Sequence, residues 1–456
     1  MGFLEQNYTI STFIFFKGLG VIYFLAFFSL LLQVEGLFCS NGISPIGALV
    51  KYIEKIYGKR GFLKAPSIFF YRYDDAFIKF CVLMGVFLSL FLAVGIATPF
   101  TIFFLWAIYL SFVSLGQEFL SYQWDVLLLE VSVLGFFLSL SSTPPALGIF
   151  CLQFFLFRFL FSSGYWKIRT DKNWRNLTSM RFHFETQPLP NPLSWYFHQF
   201  AIRFSKSTTF LVLFLELAVP FLFFGPPNIK ILGFFLTLFL QVLIIFSGNY
   251  CFFNLLTILL QVFLINDNFY SQNPFYFYGG TNIFLEIIFG ILIFLNVLRF
   301  LGLFFKKFEA IRILPAFCFS NSYGLFAMMT TKRYEINLEG SMDGSSWKKI
   351  PFKYKMEDPK IGGIQIAPLQ PRLDWQMWFL ALDPNNLSPW FNDFLEKIFK
   401  GSKEAVSLLG DYPFKETPPK KIRISVCLYR YSTFAERKQN KNFWKVQTIS
   451  SFLVEP

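Results

Sequence analysis

Long apolar runs alternate with polar stretches over the first two thirds of the chain. Runs such as VIYFLAFFSLLL and IFFGILIFLNVL belong to stretches that are long and apolar enough for helices that span a bilayer. The pattern predicts about nine spans: one at 12–32, two in each of the blocks 78–117, 126–163 and 208–247, a short one at 251–265 and one at 281–304.

The three longer blocks are predicted to be helical hairpins because each contains a proline turn. The turns are Thr98-Pro99, Thr143-Pro144-Pro145 and Gly225-Pro226-Pro227. Proline disfavours helix in the residue before it and favours the start of the next helix. Since both ends of a hairpin return to the same face, the loops 33–77, 118–125 and 164–207 are predicted to share one side. The chain after Lys306 is predicted to lie on that same side if 251–304 is also a hairpin.

Lys and Arg residues gather in these long loops, and the loop 33–77 contains a predicted short amphipathic helix near 45–57. Positively charged loops stay in the cytoplasm of a membrane protein. Charge therefore predicts that the long loops and the C-terminal tail are cytoplasmic and that the N-terminus is outside.

The stretch 164–207, which we call the polar island, separates two apolar blocks. It contains both histidines and a run of Trp, Pro, Asn and Gln that no membrane-spanning helix carries. A loop of this length between helices is usually functional or disordered, and its aromatic content argues against disorder. We therefore expect a working surface here.

From about residue 306 the sequence has the composition of a soluble domain. YEINLEGSMDGSSWKK alternates and turns at Asp343-Gly344, which is typical of a β-hairpin. LDWQMWFLAL and PWFNDFLEKIF predict helices, whereas KKIRISVCLYRY and NFWKVQTISSFLVE predict strands. The predicted fold is a polytopic α-helical membrane bundle, 1–305, followed by a soluble, mainly-β, sandwich-like domain with a helical insertion, 306–456.

Composition agrees with a membrane protein that binds lipid rather than nucleic acid. The chain is 54% hydrophobic and only 15% charged, against about 25% charged in an average soluble protein. The net charge of +13 is explained by the basic loops. No arginine-rich helix, zinc finger or aromatic RNA-binding signature accompanies it, so a nucleic-acid partner is not predicted. The six cysteines form no CxxC pair, which argues against a thiol oxidoreductase.

Two ionisable residues lie inside apolar runs. Glu130 follows Trp124 and Asp125 into such a run, where a charge is costly and a partner is expected. Arg158 lies inside another span, and we hypothesise that it is the counter-ion of Glu130. Asp125 is predicted to be a helix N-cap. Two interpretations stay open, a structural pair that holds helices together and a polar site within the bundle.

The polar island allows three interpretations of its histidines. His183, His198 and Glu185 could ligate zinc, but the spacing is not that of a helical HExxH site and prolines intervene. Either histidine could act as an acid or base. The interpretation that we favour is an ordered, hydrogen-bonded surface without metal, formed by Trp174, Arg175, His183, Glu185, Thr186, Gln187 and His198. No GxSxG elbow with a matching triad is present, so the chain is not predicted to be a lipase.

Two further groups of residues are candidates. Asn249 and Asn254 flank a break at membrane level, where their amides could satisfy exposed backbone or contact a bound lipid. Near residue 372 a helix start is dense in polar and aromatic residues, which indicates core packing of tryptophans or a partner-docking surface. Its members are Arg372, Asp374, Trp375, Gln376 and Trp378.

Several long stretches resemble the lipase maturation factor family, from the first helix to about residue 430. They are GQEFLSYQWDVLLLEVSVLGFF, WRNLTSMRFHFETQPLPNPLSWYFHQ, SGNYCFFNLLT, NSYGLFAMMTTKRYEINLEGSMDGSSWK, APLQPRLDWQMWFLAL and PWFNDFLEKIF. In eukaryotes the resemblance implies an endoplasmic-reticulum membrane protein that helps secreted lipases fold and assemble into active dimers. The compact chain is similar to bacterial-type members, for which an inner-membrane location is implied.

The resemblance favours a non-enzymatic folding or maturation factor whose client protein could be a lipase. On this interpretation the polar island and the tail form the client-binding face, and no cofactor is expected. A membrane enzyme acting on a lipid or quinone-like substrate is the alternative, because the family is similar in architecture to the vitamin K-dependent carboxylases. The resemblance implies a lumenal or outer working face, whereas charge predicts a cytoplasmic one, so the absolute orientation stays open.

Overall fold

The computed structural model describes residues 7–270, 282–309, 315–384 and 386–456. The first half of the membrane bundle contains α1 (Thr9–Leu31), α2 (Val34–Phe38), α3 (Ile46–Tyr57), α4 (Gly61–Lys64), α5 (Asp75–Val94), α6 (Thr98–Leu115), α7 (Gln123–Leu138) and α8 (Ala146–Thr170). The second half contains α9 (Lys172–Arg175), α10 (Met180–Thr186), α11 (Ser194–Arg203), α12 (Ser205–Leu217), α13 (Pro227–Ser247), α14 (Phe253–Gln261), α15 (Ile283–Leu301) and α16 (Lys306–Glu309).

Seven helices in the described part of the chain are long and apolar enough to cross a membrane. They are α1, α5, α6, α8, α12 with its 3-10 extension to Phe224, α13 and α15. The remaining two predicted spans correspond to α7, with 16 residues, and to α14, with nine. The prediction of a polytopic helical membrane protein is confirmed.

The predicted proline turns lie between helices. Gly95 ends α5 in the left-handed conformation, with φ of +88°, and Pro99 occupies the first turn of α6. Pro145 immediately precedes α8, and Pro227 is the first residue of α13. Proline fits a first helical turn because no partner is needed there for its missing N–H.

The short span at 251–265 connects the two ends of the bundle. At one end, Asn249 contacts the C-terminal region by accepting from the Ile366 N–H at 2.8 Å. At the other end, the Asp267 carboxylate accepts from the Ile10 N–H, at the start of α1, at 3.1 Å. Because the far end of α1 reaches the C-terminal region through Ser29, the chain between 249 and 267 passes from one end of the bundle to the other.

The C-terminal region contains one antiparallel sheet in the order β2-β1-β3-β4. The strands are β1 (Arg333–Ser341), β2 (Lys348–Ile350), β3 (Lys421–Tyr431) and β4 (Trp444–Val454), and the helices are α17 (Arg372–Leu382), α18 (Pro389–Phe399), α19 (Lys403–Val406) and α20 (Phe434–Asn440). The described strands form this single sheet, and α17 packs against β1. The expected sandwich therefore needs correction, because helices supply the layer that a second sheet was expected to form.

All three long loops contact the C-terminal region, as their predicted shared side requires. Ser402 Oγ donates to the Asn41 carbonyl at 2.9 Å in the first loop. Gln376 donates to the Glu118 carbonyl in the second. Trp378 Nε1 donates to the Thr186 carbonyl at 2.8 Å in the polar island.

Candidate functional site

The polar island is not the long loop that its sequence suggested. Its first seven residues continue α8 to Thr170, and most of the remainder forms α9, α10 and α11. Trp195 Nε1 donates to the Ser432 carbonyl at 2.9 Å, and the Tyr431 N–H donates to the Glu185 carboxylate at 2.7 Å. The island is thus a helical layer held between the bundle and the C-terminal region.

Arg333 on β1 joins the sheet to the island and was missed by sequence reasoning. Its guanidinium donates to the backbone carbonyls of Gln187 and Pro188, the latter at 3.0 Å, and pairs with Glu335 at 2.5 Å. The residue is 2% exposed. No local signal marked it, because Arg333 and Glu335 alternate with the apolar Ile336 and so occupy strand positions for which the pattern predicts exposure to solvent.

Glu130 and Arg158 form the predicted ion pair. Glu130 Oε1 lies 2.6 Å from Arg158 Nη2, and both side chains are buried. The second oxygen, Oε2, accepts from the Tyr323 hydroxyl at 2.7 Å and from both nitrogens of Asn321. Arg158 Nε also donates to Asn296 Oδ1 at 2.9 Å. Because the polar atoms of both side chains have hydrogen-bond partners within the protein, the geometry favours the structural interpretation.

Asp125 is not the predicted N-cap, because Tyr122 occupies that position and Asp125 lies in the first turn of α7. Its carboxylate instead pairs with Arg372, with both oxygen–nitrogen distances at 3.0 Å, and accepts from the Tyr109 hydroxyl at 2.5 Å. Trp124 Nε1 donates to Gln370 Oε1 at 2.9 Å. The local rule failed because a long-range partner competes for the carboxylate.

The helix start at residue 372 is buried, so a partner-docking surface is the wrong interpretation of this patch. Arg372, Asp374, Trp375 and Gln376 are all at most 6% exposed, and the Trp375 ring packs edge-on to Trp124 at 4.9 Å. Burial raises the pKa of Asp374 to about 7. The Tyr354 N–H opposes this shift by donating to the carboxylate at 2.8 Å.

The two histidines have different surroundings. His183 Nε2 lies 3.2 Å from the Tyr250 hydroxyl, whereas His198 Nε2 lies 4.0 Å from Glu185 Oε1. Burial lowers the pKa of each to about 4, helped by the charge of Lys167 for His183 and of Arg181 for His198. Both imidazoles are therefore neutral at pH 7. Among the described residues, no group of three His, Cys, Asp or Glu side chains could hold a metal ion.

The remaining candidates also make fixed contacts, and the exposed Arg175 donates from Nη1 to the Ile168 and Arg169 carbonyls, both at 3.3 Å. Asn249 satisfies backbone as predicted, since Nδ2 donates to the Leu189 and Ile364 carbonyls at 3.0 and 2.7 Å. Asn254 instead donates to a side chain, Gln241 Oε1, at 2.8 Å. Trp174 Nε1 donates to a carbonyl in the segment before β1, at Phe326.

Another buried ion pair, within the membrane bundle, was missed. Lys167 Nζ lies 2.6 Å from both carboxylate oxygens of Glu216, and the two residues are 4% and 7% exposed. The rule that drew attention to Glu130 applies equally here, because Glu216 interrupts the apolar run of α12. Lys167 escaped notice because it was assigned to the island rather than to α8.

Comparison with known proteins covers nearly the whole chain. Residues 10–272 match the family described as the lipase maturation factor transmembrane domain, and residues 319–454 match the lipase maturation factor C-terminal domain. Lipase maturation factor 2 of Xenopus tropicalis is 28% identical over 98% of this chain and 82% of its own length. Lipase maturation factor 1 of Mus musculus is 29% identical over 97% of this chain and 86% of its own length. No solved structure matches.

Proposed function

Because the chain belongs to the lipase maturation factor family, we propose that it helps exported or membrane proteins fold, with lipases as a client class. It is a multi-pass integral membrane protein. The observation that carries the proposal is the match of both family domains in one chain. The relatives named as lipase maturation factors cover both domains as well.

We propose that residues 1–305 anchor the protein and that residues 306–456 present the client-binding face. The island and the start of α17 support this division by holding the two parts together rather than by touching the client. Fixed contacts such as Trp195 with Ser432 and Trp378 with Thr186 would keep the face in one orientation above the membrane.

The edge strand β4 is the part of this face that suits an unfolded client. Among the described strands it pairs only with β3, so its other edge carries backbone groups without a strand partner. Nine of its eleven residues are exposed, including Ile449 at 52% and Leu453 at 57%. An extended segment of a folding client can add to such an edge through main-chain hydrogen bonds and apolar contacts.

Replacing both Ile449 and Leu453 with lysine is expected to reduce client capture by about fivefold, because charge on an edge strand opposes the pairing of another strand. The measurement is recovery of a tagged lipase cross-linked to the full-length protein. Each form of the protein is expressed in a strain that lacks the chromosomal gene. The specific activity of the lipase that this strain secretes is measured as well.

The control is Met328→Lys, which adds a lysine at a residue that is 75% exposed but outside the sheet. We expect it to capture the lipase as wild type does. If the β4 variant also captures as much lipase and restores the same specific activity, β4 is not the client site. If wild type itself does not restore lipase activity to the deletion strain, lipases are not the clients.

We further propose that the island and the C-terminal region lie on the side where exported proteins fold, against the charge rule, which long domains weaken. A phosphatase that is active only outside the cytoplasm, fused after Pro456, is expected to be active. The same phosphatase inserted after Ser142, in the exposed turn at the other end of the bundle, is expected to be inactive. The reverse pattern would place the face in the cytoplasm and argue against secreted clients.

A further inference from the structure

A cavity of about 390 Å³ lies beneath the polar island, inside the membrane bundle. The island helices α10 and α11 cover it, while α8, α12 and α13 form its walls. Phe159, Leu240 and Phe253 line its deeper part and are buried. Its volume falls within the range of small-molecule sites, about 300–1,000 Å³.

The wall is almost entirely apolar, but charged and polar groups meet at one end. The ion pair of Lys167 and Glu216 lines the cavity. His183 and Tyr250 line it as well, and the Tyr250 hydroxyl lies 3.2 Å from His183 Nε2. An ammonium group has three donors, and two of those of Lys167 point to Glu216. An oxygen acceptor near this end would therefore meet a charged donor inside apolar surroundings.

The cavity opens sideways rather than into water. Phe200 on α11, Leu211 on α12 and Phe239 on α13 line it and are nevertheless 55%, 37% and 47% exposed, so they form its mouth. The helices α12 and α13 are two of the seven apolar spans, and their exposed faces meet the hydrocarbon of the bilayer. Whatever enters between them must come from the lipid.

We propose that this cavity holds one long acyl chain from the bilayer, which enters between α12 and α13 with its carbonyl end toward Lys167 and His183. An apolar wall is a poor host for water, which needs two to four polar partners. A hydrocarbon chain needs none, and the carboxyl or ester oxygen at its end has Lys167 as a donor. A free fatty acid and a glycerophospholipid share this chemistry, and the experiment below separates them.

The test measures bound lipid on the purified full-length chain. Leu243 lines the cavity from α13, and Leu243→Trp places a large ring in it. The matched control is Leu232→Trp, three turns away on the same helix and 48% exposed, which does not line the cavity. Mass spectrometry of extracted lipid identifies the acyl species as a fatty acid or a phospholipid. We expect Leu243→Trp to retain at least about fivefold less of it than wild type and Leu232→Trp to retain the wild-type amount.

Equal retention by the two tryptophan variants, or no acyl lipid on the wild type, would overturn the proposal. A second measurement does not depend on the variants. Wild-type protein in phosphatidylcholine nanodiscs is photolabelled with diazirine-bearing palmitic acid in one arm and diazirine-bearing phosphatidylcholine in the other. We expect adducts of one probe on the lining segments of α8 and α12. Adducts found only on faces outside the cavity, such as that of Ile291 on α15, would also overturn it.

Discussion

Replacing Glu130 with glutamine is expected to lower the free energy of unfolding by about 3–5 kcal/mol, the loss typical when one partner of a buried ion pair is removed. The change keeps the shape of the side chain but removes the charge that balances Arg158, 2.6 Å away. It also places an amide against the Tyr323 hydroxyl and the Asn321 nitrogens, which donate to the carboxylate in the wild type. The measurement is the unfolding of the purified protein in mild detergent as a denaturing detergent is added.

The matched control is Glu35→Gln. Glu35 pairs with Lys79 at 2.9 Å, but the two side chains are 55% and 44% exposed. Water screens an exposed pair, so the control is expected to cost at most about 1 kcal/mol. Equal losses for the two glutamine variants would show that burial does not strengthen the dependence of the bundle on Glu130.

A double variant separates pairing from the mere presence of a charge. Arg158→Met alone leaves the buried Glu130 carboxylate without its counter-ion. Glu130→Gln combined with Arg158→Met leaves neither charge of the pair. The double variant is therefore expected to be no less stable than either single one. Losses that simply add would contradict a coupled pair. Exchanging the two charges is a poorer test, since an arginine at position 130 would face the Asn321 and Tyr323 donors.

The Glu130–Arg158 pair shows what one sequence can predict about this site. A charge in an apolar run must be balanced, and Arg158 was a cation inside another predicted span. The spans could be predicted too, because hydropathy and proline turns are local properties of the sequence. The rule would also have found Lys167 with Glu216 if α8 had been extended past Gly164.

Other features depend on contacts across hundreds of residues and could not be predicted. Asn321 and Tyr323 reach Glu130 from the segment before β1, and nothing in their surroundings marks them as membrane-buried. Asp125 obeyed the composition of an N-cap, yet Arg372 takes its carboxylate. The island was assigned to a loop because its polar residues look solvated. Several of them, among them Thr186, Gln187 and His198, are buried instead between the bundle and the C-terminal region.

Replacing Arg372 with methionine is expected to lower the free energy of unfolding by about 3–5 kcal/mol, which is the second large effect. We expect the protein to open first where the C-terminal region meets the bundle. Both partners are fully buried, and the guanidinium binds Asp125 through two nitrogens. Such bidentate pairs are among the stronger contacts in proteins. Methionine fills much of the space but leaves Asp125 as a buried charge whose remaining hydrogen bond is from Tyr109.

The measurement is hydrogen exchange of the backbone amides in α17. If the loss opens this junction before the bundle unfolds, peptides from α17 should exchange roughly 100- to 5,000-fold faster, while those from α8 exchange as in wild type. Arg423→Met is the matched control, because Arg423 pairs with Glu339 at 2.6 Å on the sheet with the two side chains 34% and 25% exposed. It is expected to cost at most about 1 kcal/mol and to leave exchange in α17 unchanged.

The pattern of exchange also decides how the two parts of the chain depend on each other. Faster exchange in both α17 and α8 would mean that the bundle needs the C-terminal region for its own stability. Unchanged exchange in α17 would mean that the neighbouring contacts of Gln370, with Ser29 and Trp124, hold the junction without the ion pair. Faster exchange in α17 alone would show that the ion pair of Asp125 and Arg372 holds the C-terminal region, proposed to bind clients, against the membrane bundle. In that case Arg372→Met should also reduce lipase capture while β4 remains intact.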